Sequence, residues 1–148
     1  MSKDVFFQSS DYLFKLRAGY LIIKDNKILL ARDYIGSYFY LPGGKIEFGE
    51  TSCHSVKREL QEELNLKAKE TELLFHEENF YYSQIFNSKV HEICFYYKVE
   101  VDLLEFMLQD EFELKENNLK TLYFKWINIS DLAKIDFFPK SILNYFDL

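Results

Sequence analysis

Residues 43–66 read G-G-K-I-E-F-G-E-T-S-C-H-S-V-K-R-E-L-Q-E-E-L-N-L, and the rest of the chain is organised around them. Glycine is scarce, with five in the chain, yet Gly43, Gly44 and Gly49 stand almost together. Such a concentration marks backbone that needs conformational freedom or that something approaches closely. A helix follows over 51–64. Cys53, Val56, Leu60 and Leu64 recur at intervals of three, four and four, which puts them on one stripe. Thr51 or Ser52 can supply the N-cap oxygen. Asn65 falls just past the end, where a left-handed residue is common and Asn is tolerated.

This helix carries its acids at a cost. Glu59, Glu62 and Glu63 are spaced i, i+3, i+4, so they share a broad face and repel one another. They also lie in the last turns, where the helix dipole disfavours negative charge. Glu59 and Glu63 flank the apolar stripe and should sit near the protein body, where repulsion is less screened. A charge run on a helix is usually a solvated face. Coupled to a glycine loop at this spacing, the acids instead call for a compensating cation, and clustered carboxylates suit Mg²⁺ or Mn²⁺.

Outward from this segment, strands come first. Tyr20–Ile23 and Lys27–Arg32 are short apolar runs joined by Asp25-Asn26, and Ser37–Leu41 is a third candidate, stopped by Pro42-Gly43-Gly44. Asp4–Lys15 is ambiguous. After the helix, Glu72–Tyr82 reads as strand and Val90–Val101 more clearly so. There Ile93, Phe95, Tyr97, Val99 and Val101 alternate with Glu92, Cys94, Tyr96, Lys98 and Glu100, predicting one apolar face. Residues 102–118 are acidic and irregular. Leu122–Ile129 is a last strand, Ser130-Asp131 opens a helical turn, and Pro139 stands where a final helix through Phe146 would begin. Strands, a helix, more strands and a closing helix predict a mixed α/β or α+β domain with helices packed on a sheet.

Composition bounds the function. The chain has 148 residues, one domain's worth (1–148), with 48% hydrophobic and 18% aromatic residues. No apolar run approaches the roughly 20 residues of a membrane span, and Met1-Ser2-Lys3-Asp4 opens no secretory signal. Cys53 and Cys94 make neither a disulfide framework nor a zinc knuckle, so a cytoplasmic protein is the simplest expectation. The 18 basic and 24 acidic residues give a net charge of −6, which argues against a nucleic-acid binder. It leaves room for a phosphorylated small molecule held through a metal. High Lys, Asn, Phe and Tyr with little Ala suits an AT-rich bacterial genome.

Residues 44–66 resemble the Nudix box, G-x5-E-x7-R-E-U-x-E-E-x-G-U with U aliphatic. Gly44, Glu50, Arg58, Glu59, Leu60, Glu62, Glu63 and Leu66 match, and Asn65 stands where the family usually has Gly. Leu41-Pro42-Gly43-Gly44 looks like the family's approach to the box, and Trp126 with Ser130-Asp131-Leu132 like its closing strand and helix. The resemblance implies an α/β/α sandwich with a mixed sheet and the box helix packed on it. It also implies Mg²⁺- or Mn²⁺-dependent hydrolysis of a nucleoside diphosphate linked to another group, by water attack on a pyrophosphate phosphorus. Such a substrate is repelled by a protein of net charge −6 unless divalent ions invert the local sign and lower the pKa of bound water.

Carried over by position, the resemblance makes Glu62 and Glu63 the main metal ligands. Glu59 becomes a further ligand or the base, and Arg58 the residue that orients it. The Gly43 carbonyl becomes an additional ligand, with Gly44 and Glu50 locking loop to helix. Some members add an acid from a loop near the closing strand, for which Glu113 and Glu116 are candidates beside the reading of a solvated acidic loop. Arg17 and Arg32 could reach phosphate, and Tyr34, Tyr38, Phe80, Tyr81 or Tyr82 could stack on a base. His91-Glu92 could line the cleft. Each of these has an ordinary structural role as its alternative.

A MutT-like pyrophosphohydrolase acting on a nucleoside triphosphate or modified nucleotide is the first expectation. Hydrolysis of a nucleotide sugar, ADP-ribose or dinucleoside polyphosphate is the second. Tyr81 stands where ADP-ribose-specific members often carry Pro, and Tyr82 fits dinucleoside polyphosphate enzymes loosely. A binding module that lost catalysis ranks lower, because the box carboxylates are all present. A DNA-binding regulator would need a basic domain for which the chain has no room. A homodimer could use the aromatic excess, which could equally fill the core.

Overall fold

The structure, a computed structural model, describes residues 3–34, 37–116 and 120–147. In chain order the strands before the helix are β1 (Phe6–Ser9), β2 (Tyr12–Leu21), β3 (Ile23–Lys24), β4 (Lys27–Arg32), β5 (Phe39–Tyr40) and β6 (Gly43–Lys45). Helix α1 (Ser52–Leu64) follows, then β7 (Glu70–Ser83), β8 (Ser88–Glu100), β9 (Glu111–Glu116), β10 (Lys120–Asn128), β11 (Phe137–Phe138) and α2 (Ile142–Tyr145). Short 3-10 turns cover Glu105–Leu108 and Ile129–Lys134.

Two sheets form. One runs β1-β2-β8-β7 with β6 also on β2, and the other β11-β5-β4-β10-β9 with β3 on β4. Both are mixed. β2 and β8 are parallel, as are β11 and β5, and the remaining pairs are antiparallel. A parallel pair needs a crossover, and the chain between β2 and β8 contains α1 and the loop before it.

Alternation along the central strands feeds two cores. Leu29 and Ala31 of β4 enter one, with Ala18 and Tyr20 of β2 and Val56, Leu60 and Leu64 of α1. Ile28 and Leu30 enter the other, with Leu21, Leu132 and Ile142 of α2. Helices therefore cover both sides of the strands, the mixed α+β arrangement that the element order implied. Trp126 is buried on β10 and donates its indole N–H to Met107 O at 2.8 Å.

Several expectations need correction. The ambiguous start is a hairpin, β1 with the first half of β2. Ser37–Leu41 shortens to Phe39–Tyr40, and after it stops before Pro42-Gly43-Gly44 the two glycines open a further strand, Gly43–Lys45, paired to Arg17–Gly19. The irregular stretch 102–118 contains β9, paired with β10; residues 117 and 118, like 1 and 2, lie outside those described. The closing helix is the single turn of α2, preceded by β11. On β8 both faces are used, because it lies between the two cores: Tyr97 and Val99 enter one, Cys94 and Tyr96 the other. Val90, Glu92, Cys94 and Tyr96 are buried on the face expected to be polar.

Candidate functional site

Each glycine of the quoted stretch has a separate cause. Gly43 has φ +152°, and a Cβ there would lie 2.2 Å from Ala18 O, so close pairing of β6 with β2 demands its absence. At Gly44 a Cβ would lie 2.3 Å from Glu59 Oε1. Here the constraint is a carboxylate lying against the main chain. Gly49 has φ +83° in open space, the left-handed turn that leads into α1. Thr51 Oγ1 caps α1 by accepting from His54 N at 3.1 Å, and Asn65, at φ 55°, closes it.

Arg58 ties the loop to the helix. Its Nε donates to Glu50 Oε2 at 2.6 Å and its Nη2 to Glu50 Oε1 at 2.9 Å, a two-pronged pair. Nη2 also reaches Lys45 O at 3.0 Å. Nη1 reaches Glu59 Oε1 at 2.9 Å and Glu62 Oε2 at 3.3 Å. Glu50 in turn accepts from Glu47 N at 2.9 Å and contacts His54 Nδ1 at 2.9 Å. The Arg58 hydrogen bonds hold the Glu50 carboxyl down to about 2.

Glu59 and Glu63 are 9% and 7% exposed, beside the apolar stripe of α1. Burial pushes Glu59 up to about 7 against the opposing pull of Arg58, with Glu62 and Glu116 adding repulsion. Glu63 is raised well above the usual carboxylate range by burial and by Glu59. The buried Tyr20 hydroxyl donates to its Oε1 at 3.0 Å. Glu116, at the end of β9, adds its charge to both. Among the described residues, no three acidic, His or Cys side chains converge closely enough to form a ready-made ion cage. The chemistry of the donor set still fits a hard divalent cation. Buried carboxylates that repel one another beside exposed backbone at Gly43 and Gly44 are relieved by a positive charge.

These groups form one wall of a cavity of about 850 Å³. Gly43, Gly44, Glu59, Glu63 and Glu116 line it on one side, and Lys15, Arg17 and Tyr81 also face it. Tyr38, Tyr40, Phe137 and Phe138 make it aromatic, and Tyr81 meets Phe138 edge to face at 6.2 Å. The cavity thus offers carboxylates, cations and flat rings together.

With the architecture in view, comparison with known proteins decides the family. The family model for the NUDIX domain matches residues 13–146. The chain belongs to the NUDIX family. A curated relative, the 8-oxo-dGTP diphosphatase of Proteus vulgaris, is 33% identical over 63 residues. That match takes in 40% of this chain and 56% of the relative, so the chain spans little more than half of the relative's length. Among solved structures, a putative nudix hydrolase family member from Chromobacterium violaceum superposes with a TM-score of 0.61 at 19% identity, over 95% of this chain and 79% of that one. The MutT protein of Bacillus halodurans gives 0.60 at 18% identity over 90% and 80%. A MutT NUDIX hydrolase from Burkholderia pseudomallei gives 0.55 at 22% over 80% and 86%. At these identities the likeness is one of fold.

The NUDIX segment brings together most of the residues singled out from sequence, but not all. Gly43, Gly44, Glu59, Glu63, Glu116 and Arg17 line the cavity. Glu62 is half exposed on the Arg58 side, outside the lining. Glu113 is removed from the acids by strand parity: Phe112, Leu114 and Glu116 turn inward, while Glu113 is exposed on the other face. Arg32 is drawn away by Glu111 at 3.9 Å and stacks on the Phe39 ring at 4.6 Å. Tyr82 is 56% exposed at the β7 hairpin end, hydrogen-bonded to Asn87. Its neighbour Tyr81 faces the cavity instead. Lys15 was missed because the strand that carries it was not recognised, and strand alternation with Arg17 was the available signal.

Proposed function

We propose that this chain hydrolyses the pyrophosphate linkage of a nucleoside diphosphate bound to a further group, most readily a nucleoside triphosphate or modified nucleotide. The reading is carried by one observation. Two buried, mutually repelling carboxylates, Glu59 and Glu63, share a cavity with cations and aromatic rings, and Arg58 holds the first of them in place. The name of the Proteus vulgaris relative, 8-oxo-dGTP diphosphatase, supports the nucleoside triphosphate class.

In this reading Glu63 and Glu116, with the Gly43 carbonyl, would hold Mg²⁺ or Mn²⁺, and Glu62 would join them from the rim. Such a cation would neutralise phosphate charge and lower the pKa of bound water. Arg58 fixes the Glu59 carboxylate against Gly44, where it would serve as a further ligand or as the base that takes a proton from the attacking water. Arg17 receives phosphate oxygens, and Tyr81 with Phe138 receives the base. Glu50 takes no part in the chemistry and anchors Arg58.

The test is phosphate and pyrophosphate release over a nucleotide panel, with and without Mg²⁺, for the parent and Glu63→Gln. Release that needs Mg²⁺ and falls about a hundredfold or more in the variant supports the reading, since losing one electrostatic partner of a transition state costs about that much. Measurable nucleotide binding with no release over the whole panel favours a binding module.

A further inference from the structure

Among the described residues, one buried side-chain oxygen lacks a hydrogen bond, Oε1 of Glu92. Glu92 lies on β8 and is fully buried. It is the register partner of Lys15 on β2 and of Asn79 on β7, so a polar row Lys15–Glu92–Asn79 crosses three strands. Asn79 Nδ2 donates to Oε2 at 3.0 Å. Oε1 instead faces two cations, Lys15 Nζ and Arg17 Nη1, each at 3.7 Å. Both cations line the cavity, and Glu92 stands behind them rather than in its lining.

Burying a carboxylate is costly unless charge and hydrogen bonds compensate it. Here the compensation is incomplete by design of the strands, because each cation stops just short of hydrogen-bonding distance. A shared counter-charge at equal distances holds both cations side by side. Arg17 also feels the charge of Glu63, on the acidic wall. Without a tether, a flexible guanidinium would settle on that wall and fill the place of a cation.

We propose that Glu92 is a positioning residue that tethers Arg17 and Lys15 as a paired anion clamp, keeping Arg17 off Glu63 so that metal and phosphate occupy separate parts of one cavity. The proposal rests on the functional reading above. It extends that reading to a phosphate-recognition element whose organiser never touches substrate.

The test uses the full chain and two probes, Mn²⁺ alone and inorganic pyrophosphate at saturating Mg²⁺, each titrated by calorimetry. Four proteins are compared: the parent, Glu92→Gln, Arg17→Met and the double variant. Glu92→Gln keeps the Asn79 hydrogen bond and the volume. It should weaken pyrophosphate about tenfold, the worth of one charge-assisted hydrogen bond, and Mn²⁺ by a few-fold. In the Arg17→Met background the Mn²⁺ effect should vanish and the pyrophosphate effect should shrink, because the tether then holds Lys15 alone. In steady state the single variant should raise KM more than it lowers kcat. Equal effects of Glu92→Gln in both backgrounds would reduce Glu92 to a through-space charge and overturn the proposal. So would tighter pyrophosphate binding in Glu92→Gln, the result expected of a carboxylate that merely opposes the anion. If Glu92→Gln does not fold, Lys15→Met on the cavity wall replaces it, and unchanged pyrophosphate affinity there overturns the clamp. A parent that binds no Mn²⁺ overturns the functional reading and the proposal together, whereas normal Mn²⁺ binding with unmoved pyrophosphate affinity overturns the proposal alone.

Discussion

The Glu59 carboxylate fills the space that a side chain on Gly44 would take: a Cβ there would stand 2.3 Å from its Oε1. The obstacle is the end of a flexible side chain, so Gly44→Ala is expected to fold while displacing the carboxylate from Arg58 Nη1. Activity should fall about tenfold to a hundredfold with little loss of stability, since misplacing a reacting group by about 1 Å costs that much. Gly43→Ala meets backbone, Ala18 O at 2.2 Å, and has no such escape. It should lower stability by about 2 kcal/mol or more through strain and lost β6 pairing. Thermal unfolding and kcat measured side by side separate the two.

The Glu50–Arg58 pair should be visible in acid. Glu50 sits at about 2 in the folded protein because Arg58 hydrogen-bonds its charged form. A carboxyl with a lower pKa folded than unfolded stabilises the fold above its unfolded value, and that contribution disappears as pH falls toward the folded one. The window therefore runs from about 4.5 down to about 2. Denaturant unfolding at stepped pH should show Glu50→Gln clearly weaker than the parent at neutrality, with the two curves converging across that window. A constant gap through the window would mean that packing, not charge, accounts for the loss.

Repulsion on the acidic wall predicts opposite changes in stability and activity. Glu59→Gln removes a buried charge while keeping the shape of the side chain. Without divalent ions the variant should be more stable than the parent, by about 1 kcal/mol or about 3 °C for a domain of this size. Added Mn²⁺ should raise the Tm of the parent more than that of the variant, and hydrolysis should drop about a hundredfold. A scan of Tm with and without Mn²⁺ checks both halves.

Strand parity on β9 gives a matched control. Glu116 faces the cavity, and Glu113, three residues earlier, does not. Glu116→Gln should weaken Mn²⁺ binding severalfold, as the loss of one charged ligand would. Glu113→Gln, at the exposed position, should change it by less than about twofold. Equal effects in calorimetry would place the metal elsewhere.

The box was legible because its signals are local. The three-four-four spacing of Cys53, Val56, Leu60 and Leu64, the cap at Thr51 and the left-handed Asn65 all depend on near neighbours, and the helix forms where they indicate. What sequence hid depends on distant partners. β9 reads as an acidic loop until Phe112 and Leu114 are seen packing toward α1, while Glu111, Glu113 and Lys115 meet solvent. Glu92 looked like the polar face of a strand, because nothing in a window of residues tells that Lys15, far away in the chain, will lie beside it. Arg32 and Tyr82 had the right chemistry, and only their partners Glu111 and Asn87 reveal that they point elsewhere.

The parallel pairing of β2 with β8 also fixes when the cavity can exist. Tyr12–Leu21 must wait for Lys89–Lys98 before its register is set, and the acidic wall must wait for Glu116. During synthesis the box helix therefore leaves the ribosome long before the strand that supplies its last acid. Contacts of such sequence separation make folding slow, in the range of about milliseconds to seconds. A nascent or truncated chain ending short of β9 would carry Glu59 and Glu63 without Glu116, so the acidic wall is completed only when the second sheet has closed.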